Sequence, residues 1–554
     1  MNGTDAIANV TRRTEGRTAG ELNVAAGTAL AEMLRTTLGP NGRDKMLVGD
    51  GTVVLTNDGA SIVDRMDIES PAAKLVADVA RAQSGELGDG STSAIVLAGA
   101  LLDEAESLLD DGFHPTTVVE GYHEAARRVH ETLDAVALPS DGDDPLRNVV
   151  ATAITGRWDD ERTAFLADLA VRAYRAARDD GDVHLENVTI HGVAGGETTD
   201  SELLDGLVVD IDASSTSLSE VPTPVPRRLR DARVAVVDDQ LTIQSPDAVS
   251  RYSLESVDDL RRAQEHESAE YRRYAETLDA HDVNVLFCQK SVDDRLRALL
   301  AREGIIVFER TRQDEVHKLE RATGARAVMR LDALDEEAVG HADEVERVDL
   351  GGGSFVVARD ASSTQVSVLL RAGTAHVVDE TERIVTDAIA LLETFDDRSG
   401  LVPGGGATEV ALASDLRDYG RGVAGREALA VESFADALET IPVALARNAG
   451  LDPIDTLLEL RRRHAEGEGR VGIDGDAGDL VDVVDRGVVE PTRLKERVVA
   501  NATDAAALVL RIDGVIETAG SAGGDGHDHD HDHDHGHAGG LQSDPGGYPW
   551  AIGH

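Results

Sequence analysis

The sequence predicts a multidomain chain of α and α/β type, and three observations lead there. At 554 residues, with 41% hydrophobic side chains, the chain can bury a large core and fills three or more domains at roughly 100–200 residues each. Apolar residues recur at helical spacing near both ends. Between about 230 and 355, strand-like runs alternate instead with charged helices, the pattern of an α/β unit with parallel pairing.

From Glu21 to Thr37, Val24, Ala25, Leu30, Met33 and Leu34 recur at helical spacing, and the helix ends at the Gly39-Pro40-Asn41-Gly42 turn. Val53 to Thr56 is a β-branched strand closed by Asn57-Asp58-Gly59, a turn in which Asp and Gly tolerate positive φ. Gly88-Asp89-Gly90 opens a helix to about Leu109, and its stretch Ala94 to Leu102 is apolar all round, so it is buried on every side. The polar segment Pro139 to Pro145 is a natural boundary, and the prolines between Ser214 and Pro226 exclude regular helix. Val234 to Val237, Val283 to Phe287 and Gly304 to Phe308 read as strands, Asp258 to Asp279 and Asp293 to Glu303 as helices. Glycines 351 to 353 are expected to mark the return from this middle unit. From Ala407 the chain is helical again, with Glu427 to Asn448 and Pro453 to His464 amphipathic. After Gly520 the pattern stops, and the alternating His and Asp of Gly526 to His537 cannot bury a core, so a disordered tail is expected.

Charge narrows the function. The 54 Lys and Arg face 104 Asp and Glu, a formal net charge of −50. That excludes a nucleic-acid-coating protein and a partner of anionic membranes, because phosphate recognition needs basic surface. Lys45, Lys74, Lys290, Lys318 and Lys495 are the only lysines, and aromatics make up 3%. This composition resembles that of halophilic proteins, the alternative being an ordinary acidic mesophilic protein: in molar salt the Debye length falls to about 3 Å and the repulsion between dense carboxylates is screened. Desalting is expected to unfold the chain or dissociate its subunits. The single cysteine, Cys288, makes no intrachain disulfide, fits a reducing cytosol and reads as a small buried residue. No apolar stretch approaches the roughly 18 residues of a membrane span, and Met1 to Asp5 opens no signal peptide, so a soluble, cytoplasmic protein is expected.

Gly88-Asp89-Gly90-Ser91-Thr92-Ser93 is a glycine-rich turn feeding a buried helix N-terminus, where free backbone N–H groups and the positive end of the helix dipole favour an anion. It lacks the lysine and spacing of a Walker A loop, so nucleotide chemistry must use other parts. Asp89 has two readings: a carboxylate that, with its neighbouring hydroxyls, takes Mg²⁺ beside a phosphate, or a plain helix N-cap. Asp58, taken alone, is a turn former.

Longer stretches decide between these readings. TTLGPNGRDKMLV (36–48), TNDGASIVDRMDIESPAAKLVADVARAQ (56–83) and GELGDGSTSAIVLAGALL (85–102) closely resemble the group II chaperonins, the archaeal thermosome family related to the eukaryotic cytosolic chaperonin. NVLFCQKSVDD (284–294), LAREGI (300–305), HVVDETERIVTDAI (376–389), VPGGGATEV (402–410), ESFADALETIPVALARNAGLDPIDTL (432–457) and DRGVVEPTRLK (485–495) continue the likeness, which covers nearly all of residues 11–518.

The resemblance implies a helical equatorial domain from 1–142 and 404–525, a small intermediate domain from 143–212 and 369–403, and an α/β apical domain from 213–368. The apical domain would carry a helical protrusion, the built-in lid, at about Ser245 to Arg262. It implies an ATPase using ATP and Mg²⁺, with Leu38, Gly39 and Pro40 as backbone contacts to nucleotide and Gly88, Asp89, Gly90, Ser91, Thr92 and Ser93 as the phosphate loop. Asp89 would hold the metal, and Asp58 and Asp387 would position or deprotonate the attacking water. Gly404, Gly405 and Gly406 would admit the ribose, whose hydroxyls Glu490 would accept. Arg157 stands where a lysine usually senses the γ-phosphate, and Asn41 where a lysine usually follows Gly-Pro; Arg keeps the charge but offers a planar fork.

The function so implied is ATP-driven enclosure and folding of unfolded protein clients in a stacked double ring of identical or paralogous subunits. Clients would touch the helices near Val292 to Ala301 and Gln313 to Thr323, whose faces are mostly charged, Arg297 and Glu315 among them. The alternative is a non-catalytic structural subunit of a hetero-oligomeric ring. The imidazoles of His527, His529, His531, His533, His535 and His537 also suit Zn, Ni or Cu; a metal-storage role would be lost on deleting residues 526–554 with the ring intact.

Overall fold

The computed structural model of the protein describes residues 11–15, 17–49, 52–138, 145–179, 182–211, 227–242, 257–350, 353–360, 363–393 and 400–518. The expected Pro139 to Pro145 boundary (but for Pro145), the proline-rich segment 214–226, most of the lid and the His-rich tail lie outside these residues.

The two ends of the chain build one helical bundle. Arg17–Arg35, Pro71–Leu87, Ser91–Asp110 and Pro115–Val136 come from the first quarter; Ala407–Gly420, Glu427–Leu438, Thr440–Asn448, Pro453–Ala465 and Thr492–Leu510 come from the last. Ser91–Asp110 runs through the centre as its uniform apolarity requires, with Ala94, Ile95, Leu97, Ala98, Leu101 and Leu102 all fully buried. Tyr122 meets Phe434 edge-on at 5.6 Å, and its hydroxyl donates to the Leu101 carbonyl at 2.8 Å, so the one polar atom of a wholly buried ring is satisfied. The expected single helix from Glu427 to Asn448 is two, broken at Glu439. Pro442 has no N–H to give the Leu438 carbonyl, which ends the first helix there.

Two hairpin-like ladders decorate the bundle. Thr11–Glu15 pairs antiparallel with Gly514–Thr518, joining the two ends of the described chain. Lys45–Gly49 pairs with Thr52–Thr56, setting Met46 opposite Leu55 and Val48 opposite Val53. These four side chains share one face and are 50–73% exposed.

In the middle of the chain, six described strands form a sheet in the order Ile306–Phe308, Val285–Cys288, Arg228–Val237, Gly340–Leu350, Gly353–Arg359, Leu207–Ile211. The first three are parallel, as the alternation predicts, and the other three join antiparallel. Period-two burial explains the continuous apolar runs. Val234 and Val236 face helix Gln313–Thr323 through Val316 and Leu319, while Ala235 and Val237 face helices Val257–Ala280 and Asp294–Arg302 through Leu278, Leu296 and Leu300. Gly353 starts a strand paired back onto Leu350, so the described chain on both sides of this point belongs to the same sheet and the return from the middle unit does not fall at glycines 351 to 353. The charged faces also need correction. Glu315 is buried with its Oε1 accepting the Asp210 N–H at 3.1 Å, and Arg297 is largely enclosed beside the buried Glu309.

Between bundle and sheet lies a smaller body. Val188–Ala194, Val366–Ala372 and Glu202–Asp205 form a three-stranded sheet, backed by helices Pro145–Ala153, Asp160–Ala176 and Ala375–Glu393 around Val150, Leu166, Leu169, Leu370, Ile384 and Leu392. Among the described residues no helix is long and apolar enough to cross a membrane.

Candidate active site

A cleft of about 670 Å³ opens where the bundle meets the smaller body. Its walls are the turn Thr37 to Asn41, Asn57 and Asp58, the helix start Asp89 to Ser93, the segment around Arg157, Gly405 and Gly406, the loop Ile473 to Ala477, and Glu490 with Lys495.

The helix start is built for an anion. Gly90 is the N-cap of Ser91–Asp110 with φ +80°, and no side chain caps it, so the first N–H groups of a long buried helix face the cleft unspent. Asp89 is therefore not the N-cap that was one of its two readings. Its Oδ1 accepts the Gly90 N–H at 2.6 Å. Burial raises its pKa, with the Gly90 N–H and the Lys495 charge pulling the other way. Gln83 donates to the Asp89 carbonyl at 3.1 Å and is itself held by Asn501 at 2.9 Å, which fixes the turn from behind.

Asp58 ties two walls together. It caps helix Gly59–Arg65, its Oδ2 accepting from the Ser61 N–H at 2.7 Å, while its Oδ1 accepts from the Ser91 hydroxyl at 3.0 Å. Burial opposes ionisation, but the Arg383 charge and these hydrogen bonds outweigh it and hold Asp58 below the ordinary carboxylate range. The turn-former reading thus stands as a helix cap inside the cleft. Beside it the Oδ1 of Asn57, another cleft residue, is buried without a hydrogen-bond partner.

Asp387 reaches this group from helix Ala375–Glu393, whose backbone presses on the glycine turn: a Cβ on Gly88 would lie 2.5 Å from the Asp387 carbonyl oxygen. Arg383, one turn earlier, is 2.7 Å from Asp387 and 3.8 Å from Asp58. Burial first, then Asp58 and Asp89, push the Asp387 pKa up to about 7 against the pull of Arg383. Asp387, Gly88 and Gly404 stand just behind the cleft surface; the other expected site residues line it.

Arg157 lines the cleft and donates through Nη1 to Glu380 at 2.6 Å. Gly156 sets its position: at φ +84°, a Cβ there would fall 1.9 Å from the Pro40 carbonyl oxygen, so the segment lies flat on the Leu38-Gly39-Pro40 turn. Asn448 pins that turn by donating to the Leu38 carbonyl at 2.8 Å, and Asn41 donates to the Gly475 carbonyl at 2.6 Å, joining it to the opposite wall.

At the far end Gly405 and Gly406 expose backbone, and the Gly404 N–H donates to Val488 at 3.0 Å, which sets the strand carrying Glu490. Sequence reasoning missed Lys495. It is buried between Glu409 at 2.6 Å and Glu490 at 2.7 Å, and despite the cost of burial these two carboxylates raise its pKa. The signal was present: Lys495 falls among Leu494, Val498, Val499 and Ala502 on the buried face of Thr492–Leu510. Arg383 and Glu380 were missed as well.

A bundle made from both chain ends, an α/β body inserted between them, and a glycine-walled cleft against a small connecting body are together the plan of a chaperonin subunit. Residues 30–519 match the model of the TCP-1/cpn60 chaperonin family. The chain is 41% identical over 517 residues to thermosome subunit alpha of Halobacterium salinarum, covering 93% of this chain and 91% of that one. It is 42% identical over 518 residues to thermosome subunit 3 of Haloferax volcanii, covering 92% and 97%. With the thermosome subunit of Methanopyrus kandleri it shares 41% over 513 residues, covering 91% and 93%. The chain belongs to the TCP-1/cpn60 chaperonin family, and its function is that of a chaperonin, in protein folding. Two of these relatives come from haloarchaea, in line with the acidic, lysine-poor composition.

Proposed function

We propose that the chain is an ATP-hydrolysing chaperonin subunit acting in the cytoplasm, with domains at 1–142 and 404–525 (equatorial), 143–212 and 369–403 (intermediate) and 213–368 (apical). The observation that carries this reading is the meeting, around one cleft, of an uncapped helix N-terminus, the acidic groups Asp58, Asp89 and Glu490, and Arg157, from segments more than four hundred residues apart in the chain. The phosphates lie against the N–H groups of Ser91, Thr92 and Ser93, the ribose against Gly405 and Gly406 with Glu490 accepting its hydroxyls, and Leu38 to Pro40 cover the nucleotide.

The residues present fit Mg²⁺. Asp89 is an enclosed carboxylate whose charge burial disfavours, the hydroxyls of Ser91 and Thr92 are hard oxygen donors beside it, and the Asn57 oxygen is unspent. Asp89 would hold the ion, which supplies charge neutralisation on the phosphate oxygens. Asp58, kept ionised by Arg383, orients the attacking water, and Asp387 takes its proton. A carboxylate with a pKa near 7 is a better proton acceptor than an ordinary one. Because Asp387 and Arg157 ride on the smaller body, the water-activating group and the phosphate-sensing group arrive together when that body closes.

The exposed apolar face of Met46, Val48, Val53 and Leu55 supports assembly into a ring of identical or paralogous subunits enclosing unfolded clients. The test is hydrolysis of ATP in molar KCl with Mg²⁺ beside Asp387→Ala. The variant is expected to assemble and bind nucleotide while turnover falls by at least about a hundredfold. Wild-type turnover in the variant removes Asp387 from the site; rings without turnover in either protein leave a structural subunit.

A further inference from the structure

Beside the cleft an ion network joins Arg157, Arg383 and Asp387 through Glu380, a residue the hydrolytic mechanism above does not use. Oε1 of Glu380 accepts from Arg157 Nη1 at 2.6 Å and from Arg383 Nη2 at 2.8 Å, and its Oε2 accepts from Arg383 Nε at 3.1 Å. Arg383 spends its remaining nitrogen on Asp387 at 2.7 Å. One carboxylate, 29% exposed, thus serves two guanidinium groups, of which Arg157 faces the cleft.

We propose that Glu380 is an internal competitor of the nucleotide's terminal phosphate: it holds Arg157, yields it to a triphosphate, and thereby weakens binding of ATP while leaving ADP untouched. This rests on the reading of the cleft as an ATP site. The physical basis is charge. Arg157 is drawn to whichever anion it can reach, and a terminal phosphate carries more negative charge than one carboxylate and accepts several hydrogen bonds. ADP ends one phosphate earlier and offers Arg157 no such group. Arginine in place of the usual lysine strengthens the hold, because its planar fork stays charged and directs hydrogen bonds along fixed lines. Burial and the neighbouring charge of Arg383 both lower the Arg157 pKa, and the Glu380 carboxylate is among the groups that offset this. Glu380 is a positioning residue, acting through Arg157 and Arg383.

The experiment is calorimetric titration of the full chain in molar KCl and Mg²⁺ with ADP and with a non-hydrolysable ATP analogue. In Glu380→Gln the analogue should bind about two- to fivefold more tightly, the scale of a partly exposed ion pair, with ADP unchanged. In an Arg157→Ala background the same substitution should change neither ligand. Should Glu380→Gln fail to assemble, Glu380→Asp, which retracts the carboxylate by one methylene, should show a smaller gain in the same direction. An unchanged ratio of analogue to ADP affinity, or a gain that persists without Arg157, overturns the inference. Wild-type protein that binds neither nucleotide instead defeats the reading of the cleft, so the two failures are distinguishable.

Discussion

Replacing Lys495 with methionine removes the cation from a buried triad and leaves its shape. The Lys495 side chain is 9% exposed, Glu409 4% and Glu490 20%. Glu409 has no other hold on its charge: its Oε2 is already buried without a partner, and its Oε1 is the atom Lys495 meets. Glu490 stands at the cleft surface and can hydrate. One stranded carboxylate is therefore the dominant cost, which places Lys495→Met near the lower end of the range for breaking a buried pair, at about 3 kcal/mol. At about 2–4 °C per kcal/mol for a unit of a few hundred residues, the unfolding midpoint should drop by about 6–12 °C. The assay is thermal unfolding followed by circular dichroism in molar KCl at fixed subunit concentration, so that assembly contributes equally. Glu409→Gln added to Lys495→Met should recover about half the loss, because the stranded group is then neutral. A single-variant shift under about 2 °C, or a double variant less stable than the single, would refute the reasoning.

Two further outcomes follow from other parts of the molecule. Val48→Asp puts a charge on the exposed apolar ladder, where Val48 is 73% exposed and contributes little to the subunit's own core. Light scattering should show subunits in place of rings with an unchanged circular dichroism spectrum, and intact rings would remove this face from assembly. Glu439, almost fully buried, loses ionisation to burial but gains more from Arg461 and Arg417, which hold its pKa below the ordinary value. A depressed folded pKa means the stabilisation is complete above the ordinary carboxylate pKa and disappears as pH falls through the folded value. Glu439→Gln should therefore melt below wild type at pH 7 and converge with it in acid; a gap that stays constant down to pH 3 would contradict this.

Much of the architecture was legible because it depends on local periodicity. The uniform apolarity of Ala94 to Leu102 required a central helix, and the runs at Val234 and Val285 required strands covered on both faces. The antiparallel half of the large sheet was not legible. Gly340–Leu350 carries His341, Asp343, Glu344, Glu346 and Arg347, polar enough to hide its alternation, and its partners are set by hydrogen bonds across the sheet. In the cleft, the glycine turn stood out by its own motif and the acidic residues through the chaperonin resemblance, whereas Arg383 and Glu380 acquire meaning only through partners and Lys495 showed in the sequence only as a lysine on a buried face: Glu409 lies 86 positions from Lys495 and Arg157 lies 223 from Glu380. Pairing at such separations has no one-dimensional trace.

The bundle closed by both ends of the chain also bears on synthesis. Ser91–Asp110 needs Glu427–Leu438 and Thr492–Leu510 to cover its apolar sides, and the first of these begins more than three hundred residues later. At about 5–20 residues per second, a ribosome leaves that helix partly uncovered for about 15–60 s while the middle of the chain emerges and folds. A transcript cut short anywhere before the last helix yields a product without Lys495 at the cleft and with an open apolar groove. The nascent subunit is thus itself in need of the protection from aggregation that its finished family provides.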